Sequence, residues 1–201
     1  MTFHIGDGPV LKSGSWTIDP LHTTIGFAVD HLGIARVRGR FNSFSGVIEV
    51  GEDLTTSTVH VSVELSSVDT NNAQRDSHLR STDFFGISSR GALEPDGAVN
   101  QYPWMTFAST AVTTDSLAGE LTINQITKPI EFELEFKGVA ALPVGEGLRI
   151  DGYNTTRAGF RASGYVHRSD FGMDFNAPLG LGDVLIGDLI EIDLDVQAVR
   201  S

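Results

Sequence analysis

The chain has 201 residues, a length that suits one domain of the larger all-β kind, and it has no Cys, which excludes thiol redox catalysis, zinc–thiolate sites and disulfide frameworks. Asp and Glu number 26 against 14 Lys and Arg, a net charge of −12, which argues against non-specific nucleic-acid binding and against docking on anionic lipid surfaces. Phe supplies 12 of the aromatic residues, against 3 Tyr and 2 Trp, and a ring without a polar handle suits a purely apolar interior.

Residues 1–14 are Gly-rich and patternless, and are expected to form a flexible lead-in or edge cover before a single domain over 15–201. The opening Met1–Gly8 has neither a basic nor an apolar signal region, and no apolar run approaches the roughly 18 residues of a spanning helix. The expectation is a cytoplasmic protein without stable membrane insertion. From Ser15 the pattern becomes β. Trp16 and Ile18 alternate with polar neighbours until Pro20. Ile25, Phe27, Val29 and His31 then share one face at period two, which puts His31 near a rim.

After Gly33, Arg36, Arg38 and Arg40 fall on one face, with Val37, Gly39 and Phe41 on the other. The Arg row is either an anion-binding ridge or, as expected on an acidic chain, an outward face paired with Asp and Glu. The phase slips near 43–46, as at a β-bulge. Val59, Val61, Val63 and Leu65 make the next strand.

Arg75-Asp76-Ser77-His78-Leu79-Arg80-Ser81-Thr82-Asp83-Phe84-Phe85 is the densest cluster of ionisable and aromatic residues. With Asn71 or Asn72 as N-cap it reads as a short helix over 72–82. Leu79, Phe84 and Phe85 give its apolar side, and its charges are expected to pair with one another. Residues 87–103 read as loop. Met105 and Phe107 begin another strand, Leu121 and Ile123 mark the next, and Ile130, Phe132, Leu134 and Phe136 alternate with carboxylates in the one after. Residues 138–166 keep the period through Phe160, Ala162 and Gly164; 167–172 and 173–184 are breaks; Ile190, Ile192, Leu194 and Val196 form the last strand.

About eight strands, each with one apolar and one polar face, imply an antiparallel barrel or sandwich. An eight-stranded barrel either fills with side chains or holds one ligand, and the inner glycines Gly39 and Gly164 favour open space. No nucleophile elbow, zinc helix, P-loop or dinucleotide fingerprint is present. The Gly-Leu-Gly at 180–182 opens no helix. His22, His31 and His78, with Asp19, Asp30, Asp76 and Asp83, could in principle make a metal site or a general-base pair, although their spacings match no metal motif.

Five segments, in order, resemble the YceI-like family of lipocalin-like polyisoprenoid-binding proteins. They are Trp16-Thr17-Ile18-Asp19-Pro20-Leu21-His22-Thr23 with Phe27–Gly33 and Gly39-Arg40-Phe41; Arg75–Leu79 with Asp83-Phe84-Phe85; Tyr102–Thr110; Gly119–Ile123 with Thr127-Lys128-Pro129; and Arg168–Gly172. The chain departs from the family pattern at Thr23, usually Ser, and at Asn124-Gln125-Ile126, usually a Gly-containing turn. It also has a longer 86–101 loop and lacks the secretion signal many members carry.

The resemblance implies an all-β, eight-stranded antiparallel barrel with one short helix after the third long strand. Its apolar bore would take an isoprenoid chain lipid of the polyprenyl quinone or polyprenyl phosphate type. The face assignments nominate Phe27, Val29, Val37, Phe41, Val61 and Val63 in the first strands; Met105, Phe107, Leu121 and Ile123 in the middle; and Phe132, Leu134, Ile192 and Leu194 in the last. Leu79, Phe84 and Phe85 would line or close an end. His31, Arg75, Asp76, His78 and Arg168 are the head-group candidates at the mouth. No catalytic residue, metal or cofactor other than the lipid is expected, and a homodimer is possible on this reading. The alternatives are an enzyme using the His/Asp set on a bound isoprenoid, and a packed barrel that meets a basic partner.

Overall fold

The computed structural model describes residues 11–87, 103–141, 156–177 and 185–201, and the statements below concern those residues. Most of the expected lead-in, the centres of the loops read at 87–103 and 173–184, the middle of 138–166 and the Gly-Leu-Gly at 180–182 lie outside them.

The strands are β1 (Gly14–Ile18), β2 (Thr24–His31), β3 (Ala35–Phe41), β4 (Phe44–Val50), β5 (Thr58–Glu64), β6 (Val68–Asp69), β7 (Trp104–Val112), β8 (Ser116–Ile123), β9 (Ile126–Ala141), β10 (Thr156–His167) and β11 (Ile186–Arg200), with one α-helix, α1 (Ala73–Arg80). They form one antiparallel sheet in the order β1-β4-β5-β7-β8-β9-β10-β11-β2-β3-β6. It closes because the end of β11 also pairs with β1, Trp16 facing Arg200 and Ile18 facing Ala198.

β1 and β2 are two halves of one strand bent at Pro20, and both pair with β11. β3 and β4 are likewise two halves of one strand: β3 pairs with β2, β4 with β1 and β5. So counted, eight strands make a closed barrel. The phase slip near 43–46 falls at this break at Asn42–Ser43, between the β2–β3 and β1–β4 ladders.

Two ends can be distinguished. The mouth end carries α1, the Leu32–Gly33 and Asn124–Gln125 turns, and the 3-10 turn Arg168–Phe171. The far end carries Ser57, the 113–115 turn and the start of β1. A small core there packs Trp16 against Leu11, Ala158 and Ala198, with the indole N–H donating to Lys12 O at 3.0 Å.

The Arg row of β3 faces outward. Arg36 pairs with Asp30 and Glu191, and Arg40 with Asp69. The inner glycines do not leave space, as the pattern suggested. A Cβ on Gly39 would meet Phe27 Cε1 at 2.7 Å, and one on Gly164 would meet Phe132 Cδ1 at 2.8 Å. The absent side chains are seats for neighbouring rings.

Candidate functional site

The bore is hollow and has two apolar chambers that share Ile25, Met105 and Ile192. The far chamber is about 160 Å³ and the mouth chamber about 580 Å³, the latter within the range of small-molecule sites. Hollowness shows in burial as well. Phe27, Val29, Val37, Ile190, Ile192 and Leu194 point inward yet are only partly buried, because no side chains fill the space before them.

The nominated bore residues divide between the chambers. Val61, Val63, Phe107, Leu121, Phe132, Leu134 and Leu194 line the far one. Phe27, Val29, Val37, Phe41, Leu79, Phe84, Phe85 and Ile123 line the mouth chamber. Phe27, Phe41 and Phe85 form a run of rings there, with centroids 5.6 and 6.0 Å apart. Strand alternation missed Met173, Phe175 and Leu185, which enter from irregular segments without a period.

Helix α1 is built by its polar residues. Asn72 is the N-cap, its side-chain oxygen accepting from Arg75 N at 3.0 Å. Asp76 is buried, and its Oδ1 accepts from Thr70 N at 2.9 Å and Thr70 Oγ1 at 2.5 Å. Arg75 donates from Nε to Thr70 Oγ1 and from Nη2 to Thr70 O, both at 2.8 Å. Arg80 donates to Ser66 O and Val68 O at 2.8 and 3.0 Å. The helix charges were expected to pair with one another. Instead, most of them bind the backbone and the Thr70 hydroxyl of the chain leading into the helix, and His78 alone of these takes a charged side-chain partner, Asp83, at 2.7 Å.

Four of the five head-group candidates line the mouth chamber: His31, Arg75, His78 and Arg168. Asp76 does not, since its carboxylate is turned onto Thr70. Arg168 is 6% exposed. It donates from Nε to Gly187 O at 3.0 Å, from Nη1 to Met173 O and from Nη2 to Ile186 O at 3.4 Å. A guanidinium carries five N–H donors, so Arg75 and Arg168 both keep donors beyond those spent on the backbone. His78 also stands edge-on to Phe84 and Phe175, at centroid distances of 5.2 and 4.8 Å.

The three histidines are not brought together. His31 and His78 line the mouth chamber, whereas His22 belongs to the Pro20 corner. There Asp19 Oδ2 accepts from Arg157 Nη1 and from Gln197 Nε2 at 3.2 Å, and lies 2.8 Å from His22 Nδ1. Burial raises the Asp19 pKa, but the hydrogen bonds from His22, Arg157 and Leu21 N outweigh it and hold the carboxyl at about 2. This cluster ties the bend to β10 and β11. Among the described residues no group of three His, Asp or Glu could hold a metal ion, and no helix is long and apolar enough to cross a membrane.

A family model described as the YceI-like domain matches residues 16–198. A UPF0312 protein of Staphylococcus aureus is 30% identical over 184 residues, covering 91% of this chain and 96% of its own. The crystal structure of a Campylobacter jejuni YceI protein is similar at a TM-score of 0.62 and 27% identity, covering 86% of this chain and 90% of its own. A Saccharophagus degradans structure described as a polyisoprenoid binding domain matches at the same TM-score with 13% identity, covering 92% and 98%; at that identity the likeness is one of fold.

Proposed function

The chain belongs to the YceI-like family, and from that premise we propose that it binds an isoprenoid chain lipid in its bore and carries, stores or protects it without covalent chemistry. The observation that carries the reading is the bore itself. Two apolar chambers share three lining residues, and the ionisable side chains that line them are all in the mouth chamber. That polarity fits an amphiphile with a long tail and one head. The description of the Saccharophagus degradans barrel as a polyisoprenoid binding domain supports the same class of ligand.

Strand length suits a long tail. β11 has 15 residues, about 50 Å of chain, or roughly 38 Å along a barrel axis at a tilt of about 40°. At about 0.3 kcal/mol per buried atom, some forty carbons would supply up to roughly 12 kcal/mol. The head then needs few contacts, and His31, Arg75, His78 and Arg168, which line the mouth chamber, are the candidates for them. The lipid is the only small molecule this reading requires.

Native mass spectrometry of the purified chain, followed by organic extraction, tests the proposal. A co-purified mass that extracts as a polyprenyl lipid is the expected result. An empty protein that also fails to take up added prenyl quinone refutes it.

A further inference from the structure

The exposed large apolar side chains concentrate at one end. Among the described residues all but Leu21 lie toward the mouth: Leu32, Ile34, Trp104, Ile126, Tyr165 and Leu189. The registers place them around the barrel's edge. Leu32 and Ile34 are at the β2–β3 turn, beside Leu185, whose carbonyl accepts from Leu32 N. Leu189 faces His167 at the end of β10, Trp104 faces Glu64 at the start of β7, and Ile126 follows the β8–β9 turn. Tyr165 points outward two residues before β10 ends.

The β2–β3 turn adds an independent observation. Leu32 and Gly33 have φ of +57° and +66°, and Ile34 N donates to His31 O at 3.2 Å. Leu32 and Gly33 are the two central positions of a β-turn inside a three-residue connection, and a positive φ at the first of them favours Asn, Asp or Gly. At the same end the β8–β9 turn puts Asn124 there, at φ +51°. Leu32 is strained in that conformation, and the strain is not offset by burial. Leu32 is 38% exposed and Ile34 is 86% exposed. Strain that presents an apolar side chain to water points to a use outside the fold.

Charge identifies what the rim meets. Arg36 pairs with Asp30 and Glu191, Lys128 with Asp170, and His167 with Asp188. Two cations, Arg36 and Lys128, stand here against four carboxylates, so this rim is repelled by anionic lipid and a zwitterionic surface is the one it can approach. Trp and Tyr beside aliphatic side chains suit the boundary between head groups and acyl chains.

We propose that the mouth rim docks on a zwitterionic lipid bilayer, inserting Leu32 and Ile34 so that the bore opens toward the acyl region. The purpose assigned to docking, exchange of an isoprenoid, rests on the lipid-binding reading above; docking itself is tested without any ligand.

The chain's two Trp residues make the test direct. Trp16 is 1% exposed at the far end, and Trp104 is 46% exposed on the rim. Phosphatidylcholine vesicles with brominated acyl chains should quench the intact chain, and Trp104→Phe should abolish the quenching. Leu32→Asn suits the turn, so it should melt at or above the wild-type temperature yet bind vesicles at least fivefold more weakly. Adding Ile34→Asp should make the loss more than tenfold, and should slow prenyl quinone transfer between vesicles equally while uptake from dilute ethanol is unchanged.

Absence of quenching, or unchanged vesicle binding by the double variant, overturns the proposal. So does a wild-type dimer that the double variant converts to monomer, since a second copy would then cover the rim. A chain that docks but takes up no prenyl quinone supports docking and refutes the lipid-binding reading alone.

Discussion

The ring of Phe27 occupies the place of a side chain on Gly39, its directly opposite partner in the β2–β3 ladder. A Cβ there would lie 2.7 Å from Phe27 Cε1 and 2.8 Å from Thr70 Cγ2, so the Phe27 ring, the Thr70 methyl or both must shift. Gly39→Ala is therefore expected to lower stability by about 1–3 kcal/mol, the usual cost of overpacking. The displaced ring would also disturb the Phe27–Phe41–Phe85 run. A denaturant midpoint shift with unchanged slope checks the first effect. A melting point equal to wild type would show that Phe27 rotates freely into the chamber.

Val29 offers the opposite case. It is inward, only partly buried, and faces the mouth chamber of about 580 Å³. Val29→Phe adds a ring to open space rather than to a packed core, so it is expected to change stability by less than about 1 kcal/mol. It removes volume a long tail would need. Thermal melts should therefore stay near wild type while co-purified or added prenyl lipid falls several-fold by native mass spectrometry. A loss of several kcal/mol would mean that the bore is already full.

Much of this was legible in the sequence because β alternation reports facing directly. The inward rows of β2, β5, β7 and β11 could be read residue by residue, and the Asn71–Asn72 pair announced α1, with Asn72 turning out to be the cap. Alternation carries no sign of distance, however. It could not separate a hollow bore from a filled one, nor foresee that Gly39 and Gly164 would seat rings from neighbouring strands. Nor could charge spacing show that Asp76 turns onto Thr70. That contact depends on the bend at Asn71, where φ is +59°, and the pattern predicts no such conformation. Arg157 met Asp19 only through barrel closure, 138 residues away in sequence.

Closure makes the Asp19 corner sensitive to acid. Its carboxyl titrates at about 2 in the folded chain, below the ordinary 3.8. A depressed folded value contributes stability above the unfolded pKa and loses it as pH falls. The contribution, roughly 2 kcal/mol, is complete above about pH 4.5 and fades between about pH 4 and 2. Asp188, which burial would raise but which Ser169 and His167 hold below the ordinary range, fades in the same direction. Asp19→Asn should lower the wild-type melting temperature at pH 7 and flatten its fall between pH 5 and 3. An unchanged acid profile in the variant would assign that fall to other carboxylates.

Arg168 combines two demands. Burial of a cation is tolerated because three backbone carbonyls, of Met173, Ile186 and Gly187, accept from it, holding the end of β10 to the start of β11. Arg168→Met keeps comparable bulk but takes the guanidinium from the Met173 and Gly187 carbonyls, each worth about 1–3 kcal/mol if left unpaired, while Ile186 O keeps its bond from Asn176 Nδ2 at 2.8 Å. The expected loss is about 3 kcal/mol, or roughly 6–12 °C in melting temperature for a domain of this size. Arg168→Lys restores the charge but not the planar fork that reaches three carbonyls at once, so it should recover little stability. Its effect on binding separates the two demands. If the remaining guanidinium donors hold a head group, Arg168→Lys assayed well below its melting temperature should bind prenyl alcohol and prenyl phosphate with a changed ratio. If Arg168 serves the backbone alone, both affinities should move together.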